Sequence, residues 1–276
     1  STIEALKSYF LFDDHFVFMG SNIAHQAISN STTNDIWTTV EQTARRSIIT
    51  YNTGGSTQTI PMGSRQILHF NNISQPVWFH HNDVGYVIVP QTGGNDLRLF
   101  AGYRSNTWWG IDNGYNSSTA LDSADVFHLT IDHQNPQRTN TANYQYYTIP
   151  HITVGQMPAY VAGLPTSTTT LAHTPTTHAV QNGQRAGLVF YQGNQTITLQ
   201  DGTTIRSDQP AIVYVEDWTD SMTFYLADPN HSAPHLQLTI SRAFSNASNM
   251  PWDPTTQSPL VEFTLPPGLQ AGQAIH

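Results

Sequence analysis

The stretch Ser8-Tyr9-Phe10-Leu11-Phe12-Asp13-Asp14-His15-Phe16-Val17-Phe18-Met19-Gly20 decides the fold class. Two apolar and aromatic runs, Ser8 to Phe12 and His15 to Met19, flank a pair of aspartates. Aromatic and β-branched residues suit a pleated, half-buried surface, and Asp bonds its own backbone two residues on, so the stretch reads as a hairpin with Gly20 closing the second strand. The same pattern continues outward. Strands are expected at Gln66 to Phe70, Val77 to His81, Gly85 to Val89, Leu97 to Tyr103, Val126 to Asp132 and Tyr144 to Ile149. After a break they resume at Arg185 to Tyr191, Gln195 to Leu199, Thr203 to Arg206, Ala211 to Glu216, Met222 to Leu226, His235 to Ile240 and Leu260 to Leu265, with Asp201-Gly202 as a further hairpin signal. Sustained helical periodicity is nearly missing. One short stretch, Thr39 to Arg46, reads as a helix or equally as a strand pairing with Ser47 to Tyr51. The fold class is therefore all-β, an antiparallel β-sandwich followed by a smaller C-terminal β-sandwich. The boundary falls in the Pro- and Ser/Thr-rich segment Met157 to Thr177, which predicts domains over 1–163 and 164–276.

Composition narrows the function. Without Cys the chain has no disulfide, thiolate metal site or cysteine nucleophile. Charged residues make up only 11% of the chain, and Ser, Thr, Asn and Gln supply the remaining polarity, which suits a secreted, extracellular protein. A net charge of -9 with only 10 Lys and Arg argues against a nucleic-acid partner. No apolar run approaches the ~20 residues that span a bilayer, so no membrane association is expected. The opening Ser1-Thr2-Ile3-Glu4-Ala5-Leu6-Lys7 lacks the apolar core of a signal peptide, which reads as a processed chain or a fragment. Sequons at Asn30, Asn72, Asn116, Asn194, Asn230 and Asn246 mark possible N-glycosylation of a eukaryotic, fungal-type glycoprotein, although a chain this rich in Asn, Ser and Thr produces several by chance.

Few residues carry a chemical signal. His80-His81-Asn82-Asp83 resembles a metal cluster, yet neighbours on a strand point to opposite faces, which favours a strand end entering a turn. Asp13-Asp14-His15 and Asp132-His133 likewise suit turns. Arg104-Ser105-Asn106-Thr107-Trp108-Trp109 is the best binding candidate. Sugar rings stack their C–H faces on indoles while polar neighbours bond hydroxyls or a carboxylate, and the competing reading is that one Trp fills the core. Arg45, beside Arg46, offers a guanidinium fork for a ligand carboxylate or pairs with Glu41 four residues back. Substrate-binding candidates are thus Arg45, Arg104, Trp108 and Trp109. No nucleophile elbow, phosphate loop, dinucleotide fingerprint or His-Glu-x-x-His occurs.

Several segments, in order, resemble polysaccharide lyase family eight, the hyaluronan, chondroitin and xanthan lyases together with fungal polymannuronate lyases. Lys7-Ser8-Tyr9-Phe10-Leu11-Phe12-Asp13-Asp14 and Met19-Gly20-Ser21-Asn22-Ile23 are similar to that family's opening segment, with Tyr9 where the family has Trp. Thr38-Thr39-Val40-Glu41-Gln42, Trp78 to Tyr86, Trp109-Gly110-Ile111-Asp112-Asn113, Ile131-Asp132-His133 and Tyr144 to Pro150 follow, and His178-Ala179-Val180-Gln181 and Ala227-Asp228-Pro229 resemble weaker landmarks of its last domain.

The resemblance implies that 1–163 is the C-terminal part of a central β-supersandwich. It also implies an N-terminal α/α-toroid as partner, in the same polypeptide or as a separate chain after cleavage. The implied chemistry is β-elimination on an anionic, uronic-acid-containing polysaccharide. An Asn neutralises the carboxylate, and Tyr and His remove the C5 proton and protonate the C4 oxygen. Those groups lie on the toroid, and an assisting Glu and Asn sit early in the supersandwich, upstream of this chain, so no catalytic residue transfers to it, and the isolated chain is expected to be inactive. No cofactor is required, and a structural calcium is allowed but has no assignable ligands. The competing expectation is a stand-alone carbohydrate-binding module or adhesin.

Overall fold

The computed structural model describes residues 2–25, 35–91, 95–111, 114, 118–136, 139–218, 221–242, 252–253, 258–266 and 273–275. Two compact units divide the chain, Ser1–Ala162 and Gly163–His276. The first contains β1 (Ile3–Leu11), β2 (Phe16–His25), β3 (Trp37–Ala44), β4 (Ile49–Asn52), β5 (Gln58–Ile60), β6 (Gln66–Ile73), β7 (Val77–His81), β8 (Val84–Val89), β9 (Asn95–Thr107), the short α1 (Trp108–Ile111), β10 (Leu121–Asp132) and β11 (Ala142–Pro150). They form a seven-stranded antiparallel sheet, β1-β2-β11-β8-β7-β4-β5, and a four-stranded one, β3-β10-β9-β6. Ile49, Phe79, Tyr86, Ile88 and Tyr144 of the larger sheet share one buried cluster with Leu97, Leu99, Phe127, Leu129 and Ile131 of the smaller. The two sheets therefore pack face to face as a sandwich.

The opening hairpin forms as its sequence dictates. Leu11 pairs with Phe16, and the Phe12 N–H donates to the His15 carbonyl at 3.0 Å across the two aspartates. The second strand does not stop at Gly20 but runs on to His25. Gly20 lies opposite Tyr144, and a Cβ there would fall within the tyrosine ring, so the glycine makes room for an aromatic neighbour inside the strand. The β7–β8 turn is Asn82-Asp83, with φ of 52° and 61°, the double left-handed geometry that matches strand twist in two-residue hairpins.

Residues Thr39 to Arg46 are not helical. β3 is a strand, and it pairs with β10, Gln42 facing His128, rather than with the following strand, which joins the other sheet. The β-branched residues Thr38, Thr39, Val40 and Thr43 favour the extended form, and tertiary pairing decides the partner.

The Pro-rich segment is more ordered than its composition suggests. Met157–Ser167 forms α2, with Pro158 in the first turn, where its missing N–H is not needed, and Pro165 near the end. The second unit then carries β12 (Thr168–His173), β13 (Thr177–Asn182), β14 (Arg185–Phe190), β15 (Gln195–Thr198), β16 (Thr204–Ser207), β17 (Ala211–Trp218), β18 (Ser221–Ala227), β19 (His235–Ile240), β20 (Trp252–Asp253) and β21 (Ser258–Thr264). Its sheets, β12-β13-β14-β17-β18 and β15-β16-β19-β21-β20, enclose Leu188, Phe190, Val213 and Leu226 against Ile205, Leu236, Leu238 and Ile240. The turn at Asp201 is closed by its carboxylate, which accepts from the Thr203 N–H and hydroxyl, both at 2.8 Å. Among the described residues no helix is long and apolar enough to cross a membrane.

Candidate functional site

The β9–β10 hairpin positions the strongest site. Its ladder runs from Asp96 opposite Asp132 to Thr107 opposite Leu121. Alternation sends Leu97, Leu99, Ala101, Phe127, Leu129 and Ile131 into the core, each 0% exposed. Arg98, Phe100, Arg104 and His128 consequently share the outer face. The flanking strands are shorter. β6 pairs with β9 only as far as Ala101, and β3 pairs with β10 only as far as Val126. Beyond those residues the hairpin projects as a two-stranded tip.

The tip carries an open cavity of about 390 Å³ lined by Arg104, Ser105, Asn106, Trp108, Asp122 and Ser123, among others. This is within the ~300–1,000 Å³ typical of small-ligand sites. Trp108 is 59% exposed and Trp109 50%, so neither fills the core; among the described residues the buried indole is Trp78. The end of the tip is pinned by one backbone bond, Trp109 N–H to the Ser118 carbonyl at 2.9 Å, and by one to a side chain, Gly110 N–H to the Thr107 hydroxyl at 3.1 Å. Trp109 stands beside the cavity without lining it.

Cations gather on the same outer face. The Arg104 guanidinium lies 4.2 Å from the Phe100 ring centroid, and Arg65 approaches that ring at 5.9 Å. Arg65 reaches it across Gly102, whose φ of 147° and missing side chain clear the path; a Cβ there would sit 3.1 Å from Arg65 Cγ. His128, opposite Phe100 in register, has its Nε2 buried with no hydrogen-bond partner. Burial, followed by the nearby Arg104 charge, holds that imidazole below its ordinary pKa and therefore neutral.

Arg45 does not join this site. Its side chain is 0% exposed and pairs with Asp125 at 2.8 Å, also donating to the carbonyls of Ser64 at 2.8 Å and Pro61 at 3.3 Å. A guanidinium so enclosed cannot meet a polymer. Its partner is Asp125 rather than Glu41, because β3 and β10 are neighbours and Glu41 is taken by the Tyr86 hydroxyl, which donates to it at 2.7 Å. That bond joins two of the sequence segments singled out above.

The histidines and aspartates flagged in the sequence are structural. His80 donates from Nε2 to the Ile152 carbonyl at 2.7 Å, and His81 Nε2 accepts the Arg46 N–H at 3.1 Å. Asp132 accepts Arg98 Nε at 2.7 Å, and His133, linked to Thr38 at 2.8 Å, is held down to about 4 by burial. His15 is buried against Phe12, Tyr147 and Tyr160, with Nδ1 2.7 Å from Asp14. Among the described residues no group of three or more His, Cys, Asp or Glu is placed to hold a metal ion. Asn72, Asn194 and Asn230 are exposed, whereas Asn30, Asn116 and Asn246 lie outside the described residues.

Reasoning from the sequence missed Arg65, Phe100 and Asp122. Alternation along β9 does place Phe100 with Arg104, but bringing in Arg65 and Asp122 requires the cross-strand register, which leaves no local signal.

Two antiparallel sandwiches in series, the first with sheets of unequal size and a projecting hairpin, define an all-β, two-domain architecture. Residues 1–161 match the super-sandwich domain of polysaccharide lyase family 8, and residues 169–237 match that family's C-terminal beta-sandwich domain. The chain belongs to polysaccharide lyase family 8. It is 26% identical over 238 residues to chondroitinase AC of Pedobacter heparinus, a match covering 83% of this chain but 30% of that protein. A chondroitinase AC lyase structure with bound oligosaccharides superposes with a TM-score of 0.79 at 23% identity, over 99% of this chain and 36% of the other. A Paenibacillus xanthan lyase gives 0.71 at 18%, over 99% and 27%. A Streptomyces coelicolor chondroitin AC lyase gives 0.67 at 19%, over 98% and 32%. The chain thus spans about a third of the length of these relatives.

Proposed function

We propose that this chain is the β portion of a secreted, extracellular polysaccharide lyase that cleaves a uronic-acid-containing polymer by β-elimination. The observation that carries the reading is the serial match of both β domains to the family, over 1–161 and 169–237. In that reaction a base removes the C5 proton beside the carboxylate. The electron pair forms the C4=C5 double bond, the C4–O bond breaks, and an acid protonates the departing oxygen.

The acid/base set is assigned to an N-terminal α/α-toroid segment, in the same polypeptide or associated after cleavage. Support comes from the chain's own side chains. Tyr86 is bonded to Glu41, His80 to Ile152, and burial pushes the pKa of Tyr86, Tyr146 and Tyr160 upward, away from acid/base duty near neutrality. The acidic balance of -9 fits a scaffold whose cationic cleft lies elsewhere. Among candidate polymers, chondroitin and xanthan are those named for the relatives, alginate is the one the fungal-type sequons tilt toward, and hyaluronan completes the set to compare.

The test supplies these four polymers to the chain alone and to the chain with its toroid segment, following the ultraviolet absorbance of unsaturated uronate. Product only from the combined protein is expected. Turnover by the chain alone overturns the assignment of the acid/base set to the toroid, and no turnover of any polymer by the combined protein overturns the lyase reading in favour of a binding module or adhesin.

A further inference from the structure

Of the chain's arginines, Arg45, Arg98, Arg185 and Arg242 each pair with a carboxylate, at 2.8, 3.3, 3.3 and 2.6 Å respectively. Arg46, Arg65, Arg104 and Arg206 have no ion pair among the described residues, in a chain where 19 acidic residues compete for 10 basic ones, and Arg65 and Arg104 stand together. Both are exposed, and both lie against one aromatic ring, Phe100, with Arg65 seated over Gly102. Arg46 and Arg206 also lack a carboxylate partner among the described residues, but Arg65 and Arg104 bring two like charges to one ring, and solvent alone does not explain that convergence. An anion supplied from outside does.

Adjoining this pair is the tip cavity of about 390 Å³, with the Trp108 indole 59% exposed on its wall. Its remaining polar groups are of both kinds: Arg104 donates only, Asp122 accepts only, and Asn106, opposite Asp122 in register, and Ser123 do either. A neutral sugar would leave the arginine unmatched. A ligand bearing only anionic groups would meet Asp122. A sugar that carries hydroxyls and one carboxylate satisfies the set, with its C–H face on the indole.

We infer that the projecting β9–β10 tip is a binding subsite for a carboxylate-bearing sugar residue, in which Trp108 is the stacking platform, Arg104 grips the carboxylate, and Asp122 and Asn106 take the ring hydroxyls. Arg65 continues the cationic track along the outer face, so a second uronate of the same polymer follows the first. The inference rests on the lyase reading for the identity of the polymer, but the site stands on its own geometry. It gives an acidic chain one local foothold for an anionic substrate, held on a projecting element rather than on the sheet.

The experiment is calorimetric titration of the chain with uronate oligosaccharides and with neutral oligosaccharides of equal length, for the wild type and for Arg104→Gln, Trp108→Ala and, as a control in the second unit, Trp218→Ala. Uronate binding should weaken about tenfold in Arg104→Gln, the loss of one charge-assisted fork, and should become less salt-sensitive. Trp108→Ala should weaken uronate binding about as much, and Trp218→Ala should leave it unchanged. Both tip residues are exposed, and a melting curve for each variant confirms that the fold persists. Chemical-shift changes at the Trp108 indole provide an independent readout.

Equal affinity for neutral and uronate ligands, no binding by the wild type, or wild-type affinity in both tip variants each overturns the subsite. Elimination by the combined protein that is indifferent to the tip variants, together with any of those results, removes the subsite and leaves the lyase reading intact. Tip-dependent uronate binding with no elimination by any preparation does the reverse.

Discussion

Replacing Asp125 by Ala tests whether Arg45 is a structural cation. The Arg45 side chain is 0% exposed and its carboxylate partner 9%, so removing Asp125 strands a guanidinium out of water. Breaking a buried pair from one side costs about 3–5 kcal/mol. For a unit of this size each kcal/mol moves the melting temperature by about 2–4 °C, so Asp125→Ala should melt roughly 6–20 °C below the wild type.

The pair is only half satisfied, however. Arg45 Nε and Asp125 Oδ1 are both buried without partners, and the carbonyls of Pro61 and Ser64 that Arg45 also bonds are near enough to water to be hydrated in its absence. The double variant Arg45→Met with Asp125→Ala should therefore recover most of the loss, coming within about 2 kcal/mol of the wild type. Differential scanning calorimetry of the three proteins reads this directly. A single variant that melts within about 2 °C of the wild type, or a double variant as unstable as the single, refutes the reasoning. So does an Arg45→Met protein that keeps its melting temperature but loses affinity for uronate.

Other perturbations reach different parts of the sandwich. Gly20→Ala drives a methyl into the Tyr144 ring, and overpacking of this kind should cost about 1–3 kcal/mol in urea unfolding, reduced when Tyr144→Leu is added. Tyr86→Phe removes the hydroxyl that satisfies Glu41 and should cost about 1.5–3 kcal/mol, with Glu41→Gln partly compensating. Two histidines set an acid limit. Burial holds His133 at about 4 and His178, beside His173, at about 3, so both are neutral in the fold. The unfolded chain titrates near 6.5 and takes up protons first. Stability should accordingly be intact above pH 6.5 and drain as pH falls toward those values, by at most about 1.4 kcal/mol per unit per histidine. Urea midpoints from pH 7 to 5, with His133→Gln giving a shallower slope, check this.

Much of the fold was legible because its turns carry their own chemistry. Asp13-Asp14, Asn82-Asp83 and Asp201-Gly202 all lie where strands reverse, and the runs between them alternate or stay apolar as pleated strands require. What failed locally was decided at a distance. Gly20 looks like a strand end until Tyr144 is known to occupy its missing side chain. Thr39 to Arg46 is ambiguous until β10 lies beside it, and Pro158 and Pro165 obscured a helix that tolerates one proline in its first turn and the other near its last. The site divides in the same way. Arg104 near the end of β9 and Trp108 at the start of α1 are four apart in sequence and were visible together, whereas Arg45 carries the same charge but is turned inward by a partner 80 residues away.

The order of strands in the seven-stranded sheet also governs how this protein can be made. β2 sits between β1 and β11, with Phe18 stacked on Tyr146 at 4.7 Å, so this pairing joins the two ends of the first unit. On a ribosome adding about 5–20 residues per second, the opening hairpin waits on the order of ten seconds for the strand that covers its flank. Throughout that interval the aromatic faces of Tyr9 and Phe18 and an open strand edge are free to find another nascent chain. Yield should consequently depend on translation speed and chaperone supply more than on the stability of the finished sandwich.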